Sequence, residues 1–140
     1  MNRKVLVTII ICGVSLSNCR KTADEHQVPQ VSVNRTVAVN LAQYNDLNFI
    51  GGWVYMNGGY NGLLLYRANL EDIKAYDRQA PYEVSNGCQV TVDTGSVTCS
   101  DTCSGSQWLM LDGQIVDGPA IYPLKEYTTT FDGTTVNITN

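Results

Sequence analysis

Hydrophobic residues from Thr36 onward come in short runs separated by Gly, Asn and Asp, a pattern typical of β-strands joined by tight turns. The runs read TVAVNL, WVYM, GLLLYRA, DIKAYD, QVTVD, SVTCS, WLMLDG, YTTTF and TVNIT. The last two are joined by Asp132 and Gly133 and predict a hairpin, because Asp-Gly accepts the backbone angles of a tight turn.

Helical periodicity is weak along the whole chain. We expect at most a single helical turn in LAQYNDL and in ANLEDIKA, since no segment keeps a 3.6-residue period for long. The pattern predicts an all-β fold, a small antiparallel barrel or sandwich without internal repeats.

The first 18 residues have the order of a secretory signal. Arg3 and Lys4 precede the apolar run VLVTIIICGV, which is short for a membrane span. The run ends in LSNC, which resembles a bacterial lipobox. We therefore predict residues 1–18 to be a lipoprotein signal peptide and Cys19 to carry the lipid, with an ordinary signal peptide or an uncleaved anchor as alternatives.

Residues 19–35 are polar and lack apolar periodicity, which predicts a flexible tether between the lipid and a domain over residues 36–140. The charged TADE near Cys19 is similar to surface-export signals of Bacteroidetes lipoproteins. We expect the protein in the bacterial cell envelope, lipid-anchored to a membrane, with the outer membrane favoured and its periplasmic or surface face left open.

The chain is acidic, with nine Lys and Arg against thirteen Asp and Glu and a formal charge of -4. Loss of residues 1–18 would remove Arg3 and Lys4 and make the charge -6. Nucleic acid is excluded as an expected partner because phosphate binding needs clustered cations. The expected partners are a membrane, through the lipid, and an unidentified envelope protein.

Of the five cysteines, only Cys88, Cys99 and Cys103 fall in the predicted domain. In an oxidising compartment two of the three are expected to pair, leaving one odd thiol. A cross-link over the 15-residue span from Cys88 to Cys103 would contribute about 3 kcal/mol to stability.

The order of segments over residues 75–127 resembles the Rieske [2Fe-2S] domain. AYDR stands where that family has an aromatic-Asp-Arg strand, and CSGSQW keeps the family's Cys103, Gly105 and Ser106. The tail GPAIYPLKEY, residues 118–127, keeps the whole family spacing. The resemblance extends from about residue 37 to residue 140, and it implies a small β fold with two loops that hold a [2Fe-2S] cluster for electron transfer.

The same alignment substitutes every cluster ligand. It puts Ala80 and Tyr82 at the first cysteine and histidine positions, and Asp101 and Ser104 at the second pair. A Rieske cluster needs two thiolates and two imidazoles, yet His26 is the only histidine in the chain. An all-cysteine cluster needs four thiolates. We therefore predict no cofactor and no metal, although the family's cofactor would be a [2Fe-2S] cluster.

Two further expectations concern the cysteines. Many Rieske domains join their cluster loops by a disulfide, and the resemblance implies this pairing for Cys88 and Cys103, with Cys88 to Cys99 as the alternative. A zinc site of the three domain cysteines and Asp101 is the remaining metal alternative, disfavoured by an oxidising compartment.

Several side chains have competing roles. We expect Asp101 to be a solvated loop carboxylate or a turn former, and Tyr82 either to fill the volume of the cluster or to point outward. Catalysis by Asp101 and Ser104 lacks a histidine base, and neither Lys74 nor Lys125 has a special setting. We predict no catalytic residues and no enzyme activity.

Aromatic residues concentrate in FIGGWVYMNGGYNGLLLYR. We expect Trp53 and Tyr55 in the core, Tyr60 as an exposed contact residue and Trp108 beneath the second loop.

The sequence is most consistent with an envelope lipoprotein whose degenerate Rieske-like domain does not bind a cluster and acts as a structural or partner-binding module. Two alternatives stay open: a Rieske electron-transfer protein, and an accessory subunit of an envelope enzyme.

Overall fold

The computed structural model describes residues 24–140. The predicted signal peptide, Cys19 and the first part of the predicted tether lie outside the described residues. Within residues 24–140, no helix combines the length and apolar character needed to cross a bilayer.

Ten short strands account for most of the regular structure, as the alternating pattern predicted. They are β1 (Asn34–Ala38), β2 (Trp53–Met56), β3 (Leu63–Arg67), β4 (Ile73–Asp77), β5 (Thr91–Val92), β6 (Thr98–Ser100), β7 (Gln107–Leu109), β8 (Ile115–Asp117), β9 (Glu126–Phe131) and β10 (Thr135–Thr139). Three short 3-10 helices cover Asp24–His26, Ala42–Asn48 and Val84–Asn86.

The larger sheet, which we call the base, has six strands in the order β1-β10-β9-β4-β3-β2, and every pair is antiparallel. The predicted hairpin of β9 and β10 is confirmed. Its turn is held by the carboxylate of Asp132, whose Oδ1 accepts hydrogen bonds from the amides of Thr134 and Thr135 at 2.9 and 2.7 Å.

The strand β3 is buried on both of its faces, which explains its unbroken run of three leucines. Leu63 and Leu65 point into the core of the base, whereas Leu64 between them belongs to a second core. Tyr76 on β4 is also part of that second core. The β3-β4 pair therefore forms the common wall of two hydrophobic clusters.

The smaller sheet has the antiparallel order β5-β6-β7-β8. It carries two loops, residues 79–90 and 101–106, which together we call the cap. The second core lies beneath them and contains Trp108. Trp108 is fully buried, which agrees with the expectation that it lies beneath the second loop. The described residues thus form an all-β fold with a large antiparallel base and a small sheet bearing the cap.

Two segments refine the expectations for local structure. LAQYNDL forms the 3-10 helix Ala42–Asn48. ANLEDIKA is not helical: the amide of Ala68 closes a turn on the carbonyl of Asp72, and Ile73 begins β4. Pairing with β3 buries Ile73 completely, and this burial outweighs any local helical preference.

Part of the stretch predicted as a tether packs against the domain. Val28 and Val33 are buried, and the amide of Val33 donates to Oδ1 of Asn140 at 2.9 Å. The boundary at residue 35 between tether and domain stays a prediction.

Candidate functional site

The cap is cross-linked by a disulfide between Cys88 and Cys103, whose Cα atoms lie 6.4 Å apart. The pairing implied by the family resemblance is therefore present, and the alternative with Cys99 is not. Cys99 is a buried thiol on β6, opposite Trp108. Burial, with a smaller contribution from the charge of Asp93, raises the pKa of Cys99 to about 12.

The first loop is folded over the second core. Ala80 is fully buried, and its amide donates to the carbonyl of Cys88 at 2.9 Å. Tyr82 is half-buried and packs against that core, so it fills space at the cap. Its ring centroid lies 5.1 Å from that of His26, whose Nδ1 accepts a hydrogen bond of 3.0 Å from the amide of Glu83.

The second loop turns around a buried carboxylate. Asp101 is 1% exposed, which contradicts the expectation of a solvated side chain and agrees with that of a turn former. Its Oδ1 accepts from the amide of Cys103, and its Oδ2 accepts from the hydroxyl of Ser104, both at 2.8 Å. A buried carboxylate is tolerated where hydrogen bonds replace its water.

The tail, residues 118–127, packs against the second loop and the second core. Oγ of Ser106 lies 2.9 Å from Oγ of Ser104 and accepts a hydrogen bond from the amide of Ala120 at 3.0 Å. Gly118 approaches so closely that a Cβ there would lie 2.4 Å from Cα of Ser106. The tail therefore requires glycine at position 118. The tail also contacts the second core, because Nε1 of Trp108 donates a hydrogen bond to the carbonyl of Tyr122 at 3.0 Å.

The small sheet below the cap is tied together by one carboxylate. Asp93 accepts hydrogen bonds from Ser100, Thr98 and Gln107 at 2.5, 2.7 and 2.9 Å. Burial alone would raise the pKa of Asp93, but these three hydrogen bonds together lower it below its ordinary value. The small sheet that carries the loops is therefore stabilised by its own set of hydrogen bonds to Asp93.

The residues of the cap do not fit a Rieske cluster. That cluster takes two thiolates and two imidazoles, whereas the four aligned positions supply a methyl group, a phenol, a carboxylate and a hydroxyl. The one histidine of the sequence, His26, already uses Nδ1 to accept from Glu83. Cys99, the free thiol of the described residues, is buried in the second core, and one thiol is too few for a cluster that takes two thiolates.

One group in the cap has metal-binding side chains close together. The ligand atoms of Cys88, Asp101 and Cys103 lie within 4.8 Å of one another. The two sulfurs are bonded to each other, however, and Cys99 does not belong to this group. The four-ligand zinc site considered from the sequence is therefore not assembled in this arrangement.

The two lysines considered as bases lie in surface contacts. Lys74 makes ion pairs with Asp72 and Glu126 at 3.3 and 3.1 Å, and the hydrogen bond to Glu126 raises its pKa above the ordinary value against a smaller effect of burial. Lys125 donates to Oε1 of Gln30 at 2.7 Å.

The aromatic stretch divides differently from the expectation. Tyr60 is 46% exposed, as expected, and Trp53 is half-buried and packs against the second core, but Tyr55 is 36% exposed. β2 is an edge strand, and Val54 takes the side that faces the core of the base. Trp53 and Tyr55 therefore share the opposite face, which is only partly covered.

Sequence reasoning missed Asp77 and Arg78 as functional candidates. Asp77 is fully buried and Arg78 lies over the ring of Tyr55 with its Cζ 3.7 Å from the centroid. The only sequence signal was the AYDR strand, which indicated the family pattern and nothing about what the two side chains contact.

The β topology with its two-loop cap defines the class: a Rieske-type all-β fold. The chain is similar to the cyanobacterial plasma membrane Rieske protein PetC3 from Synechocystis PCC 6803, known from a crystal structure, with a TM-score of 0.54 and 20% sequence identity over 79% of this chain and 100% of that chain. At this identity the likeness shows the fold alone. No protein-family model matches the chain, and no curated protein matches it.

Proposed function

We propose that this protein is an envelope lipoprotein whose Rieske-like domain has lost cluster binding and serves as a structural or partner-binding module. The observation that carries the proposal is the chemistry of the cap, where Asp101, at a position aligned with a cluster cysteine, is buried and accepts hydrogen bonds within the second loop. The four positions aligned with cluster ligands offer neither a thiolate nor an imidazole.

The cap supports this function because links within the chain itself join its loops. Cys88 and Cys103 tie the two loops covalently, Asp101 fixes the second loop, and Ser106 attaches it to the tail. In a protein that used a cluster, the metal would supply part of this fixation. A surface fixed by the chain itself is suited to present contacts to a partner.

The anchoring part of the proposal rests on the sequence. We propose that residues 1–18 are removed, that Cys19 carries the lipid, and that the residues up to 35 connect it to the domain on the periplasmic or surface face of the outer membrane. A Cys19→Ala variant should fail to incorporate radiolabelled palmitate and should leave the membrane fraction. Labelling of that variant at the wild-type level would contradict the assignment.

The alternative of an electron-transfer protein is favoured by the fold likeness alone. Chemical analysis of iron and acid-labile sulfide separates the two functions. Wild-type protein purified without oxygen from iron-supplemented cells should contain neither in stoichiometric amount. Two atoms of each per chain would establish the alternative.

A ligand-restored variant provides the matched control. It combines Ala80→Cys, Tyr82→His, Asp101→Cys and Ser104→His, the four changes that return the family's ligand set to this scaffold. Iron and sulfide in this variant but not in the wild-type chain would attribute the loss to these positions. The accessory-subunit alternative is tested separately, by whether a purified envelope enzyme gains activity when the wild-type chain is added.

A further inference from the structure

A polar groove of about 380 Å³ lies beside the cap, between the NGGYNG turn and the first loop. This volume is at the lower end of the range typical of small-molecule sites, roughly 300 to 1,000 Å³. The side chains that the argument uses are Tyr55, Asn57, Tyr60, Asn61, Arg78 and Gln89. None of them is at a position aligned with a cluster ligand.

The wall of the groove is fixed from beneath by Asp77. Its fully buried carboxylate accepts hydrogen bonds from the amides of Tyr60 and Asn61 at 2.5 and 3.1 Å and from the hydroxyl of Tyr127 at 2.8 Å. A Cβ at Gly59 would lie 2.5 Å from Oδ2 of Asp77, so the turn needs glycine there. A wall fixed in advance lowers the entropy cost of binding a ligand.

Arg78 gives the groove its charge. Among the described residues that line it, Arg78 is the one charged side chain. Tyr55 supports the guanidinium through its ring, and Nε donates to the carbonyl of Val90 at 3.3 Å. Because these contacts hold the planar group in place, its terminal nitrogens are available as a fork that matches the two oxygens of a carboxylate.

The rest of the lining selects among anionic ligands. A phosphate would bring a second negative charge to a site with one cation in a chain of net charge -4. An amino acid would need an acidic partner for its ammonium group, and the described lining contains none. Nδ2 of Asn61 already donates to Gln79 and Gly87, and Nε2 of Gln89 already donates to Asn61. The amide of Asn57 and Oε1 of Gln89 remain to pair with hydroxyl groups, which both donate and accept.

The exposed ring of Tyr60 lies at the same groove. An aromatic face provides apolar contact for the C–H surface of a sugar ring, as aromatic side chains do in small-molecule sites generally. We propose that this groove binds a uronic acid, a sugar that carries a carboxylate, with Arg78 pairing with the carboxylate and Tyr60 contacting the ring. The site is independent of cluster loss, so neither proposal depends on the other.

Calorimetric titration of the full chain in mild detergent tests the site with D-glucuronate as the probe. Saturable binding is expected, and D-glucose and acetate should each bind at least about tenfold more weakly, because the first lacks the carboxylate and the second lacks the ring. Equal binding of glucose, of acetate or of glucose 1-phosphate would overturn the proposal, as would no binding of glucuronate.

Variants assign the binding to the groove. Arg78→Lys keeps the charge but loses the fork and should weaken glucuronate binding roughly tenfold, and Tyr60→Ala should weaken it several-fold. Lys74→Ala removes a cation elsewhere on the surface and should leave binding unchanged. Because Tyr60 is an exposed rim residue, its variant stays informative even if Arg78→Lys alters folding, which circular dichroism would reveal. Wild-type affinity in a folded Arg78→Lys or Tyr60→Ala protein would overturn the assignment.

Discussion

In the base, Leu63, Leu65 and Ile73 are fully buried in a cluster that is almost entirely aliphatic. In the cap, the loops have little regular structure, and a disulfide and the Asp101 carboxylate hold them. The first region is stabilised by the area it buries, the second by a few specific links. The difference indicates that a disulfide and a few hydrogen bonds can hold the two loops in place, while the base folds around a core of its own.

The largest effect is expected in the base. Leu65→Ala should lower the free energy of unfolding by about 2 to 5 kcal/mol, because it removes a fully buried side chain and leaves a cavity. Urea denaturation measures the change. Leu70→Ala is the control: Leu70 is 74% exposed, and its variant should differ from the wild type by less than about 0.5 kcal/mol. Equal losses in the two would contradict the described core.

The disulfide is the strongest single link of the cap. Replacing both Cys88 and Cys103 by Ser should cost about 3 kcal/mol, the entropy of an open 15-residue loop in the unfolded chain. The loss is measured by urea denaturation under oxidising conditions. Wild-type protein kept in a phosphine reductant should show the same loss, and an unchanged midpoint in either case would mean that other contacts hold the loops.

Asp101 should matter less than the disulfide. Asp101→Ala leaves the amide of Cys103 and the hydroxyl of Ser104 without their acceptor and should cost about 1 to 3 kcal/mol. Asp101→Asn keeps an acceptor for the amide and can donate to the hydroxyl, so it should cost less than half as much. Thermal unfolding compares the two variants, and a larger loss for Asn than for Ala would refute the described role of the carboxylate.

Two tyrosines make a still finer comparison between the two cores. The hydroxyl of Tyr127 donates to Asp77, whereas that of Tyr76 is buried and has no hydrogen-bond partner among residues 24–140. Tyr127→Phe should therefore cost about 1 to 2 kcal/mol, and Tyr76→Phe should be neutral or slightly stabilising. Urea denaturation of both variants in one buffer compares their free energies of unfolding. A larger loss for Tyr76→Phe than for Tyr127→Phe would contradict the prediction.

The prediction with the smallest effect at neutral pH concerns the thiol of Cys99. The pKa of Cys99 is raised to about 12 in the folded protein, against about 8.5 in an unfolded chain. Below about pH 8.5 the thiol is protonated in both states, and its contribution to the free energy of unfolding is fully present. That contribution is lost as the pH rises towards 12, because the unfolded state loses its proton first. Ellman's reagent at pH 8 should react with Cys99 only after urea is added. Rapid reaction with the native protein would contradict the burial of this thiol.

Local patterns predicted much of the fold. Alternation and the Asp132-Gly133 pair are sufficient for the β9-β10 hairpin, because both act between neighbours in the chain. The family resemblance supplied the Cys88–Cys103 pairing, which composition alone left open. These features depend on short-range signals or on a spacing pattern that the chain retains.

The missed features depend on contacts between distant segments. The second loop is joined to the tail by a hydrogen bond from the amide of Ala120 to Ser106, 14 residues earlier, and no local pattern reports that contact. The exposure of Tyr55 depends on β2 being an edge strand. The role of Asp77 depends on its contact with the amide of Tyr60, 17 residues earlier, which the sequence pattern does not indicate.

Our central proposal is that this scaffold has the two loops of a Rieske-type fold without the ligands for a cluster. Electron paramagnetic resonance of the dithionite-reduced wild-type protein, purified anaerobically, tests it most directly. The account predicts no Rieske-type signal from the wild-type protein at cryogenic temperature. The ligand-restored variant, prepared in the same way, is measured beside it. A Rieske-type signal integrating to one spin per wild-type chain would contradict it.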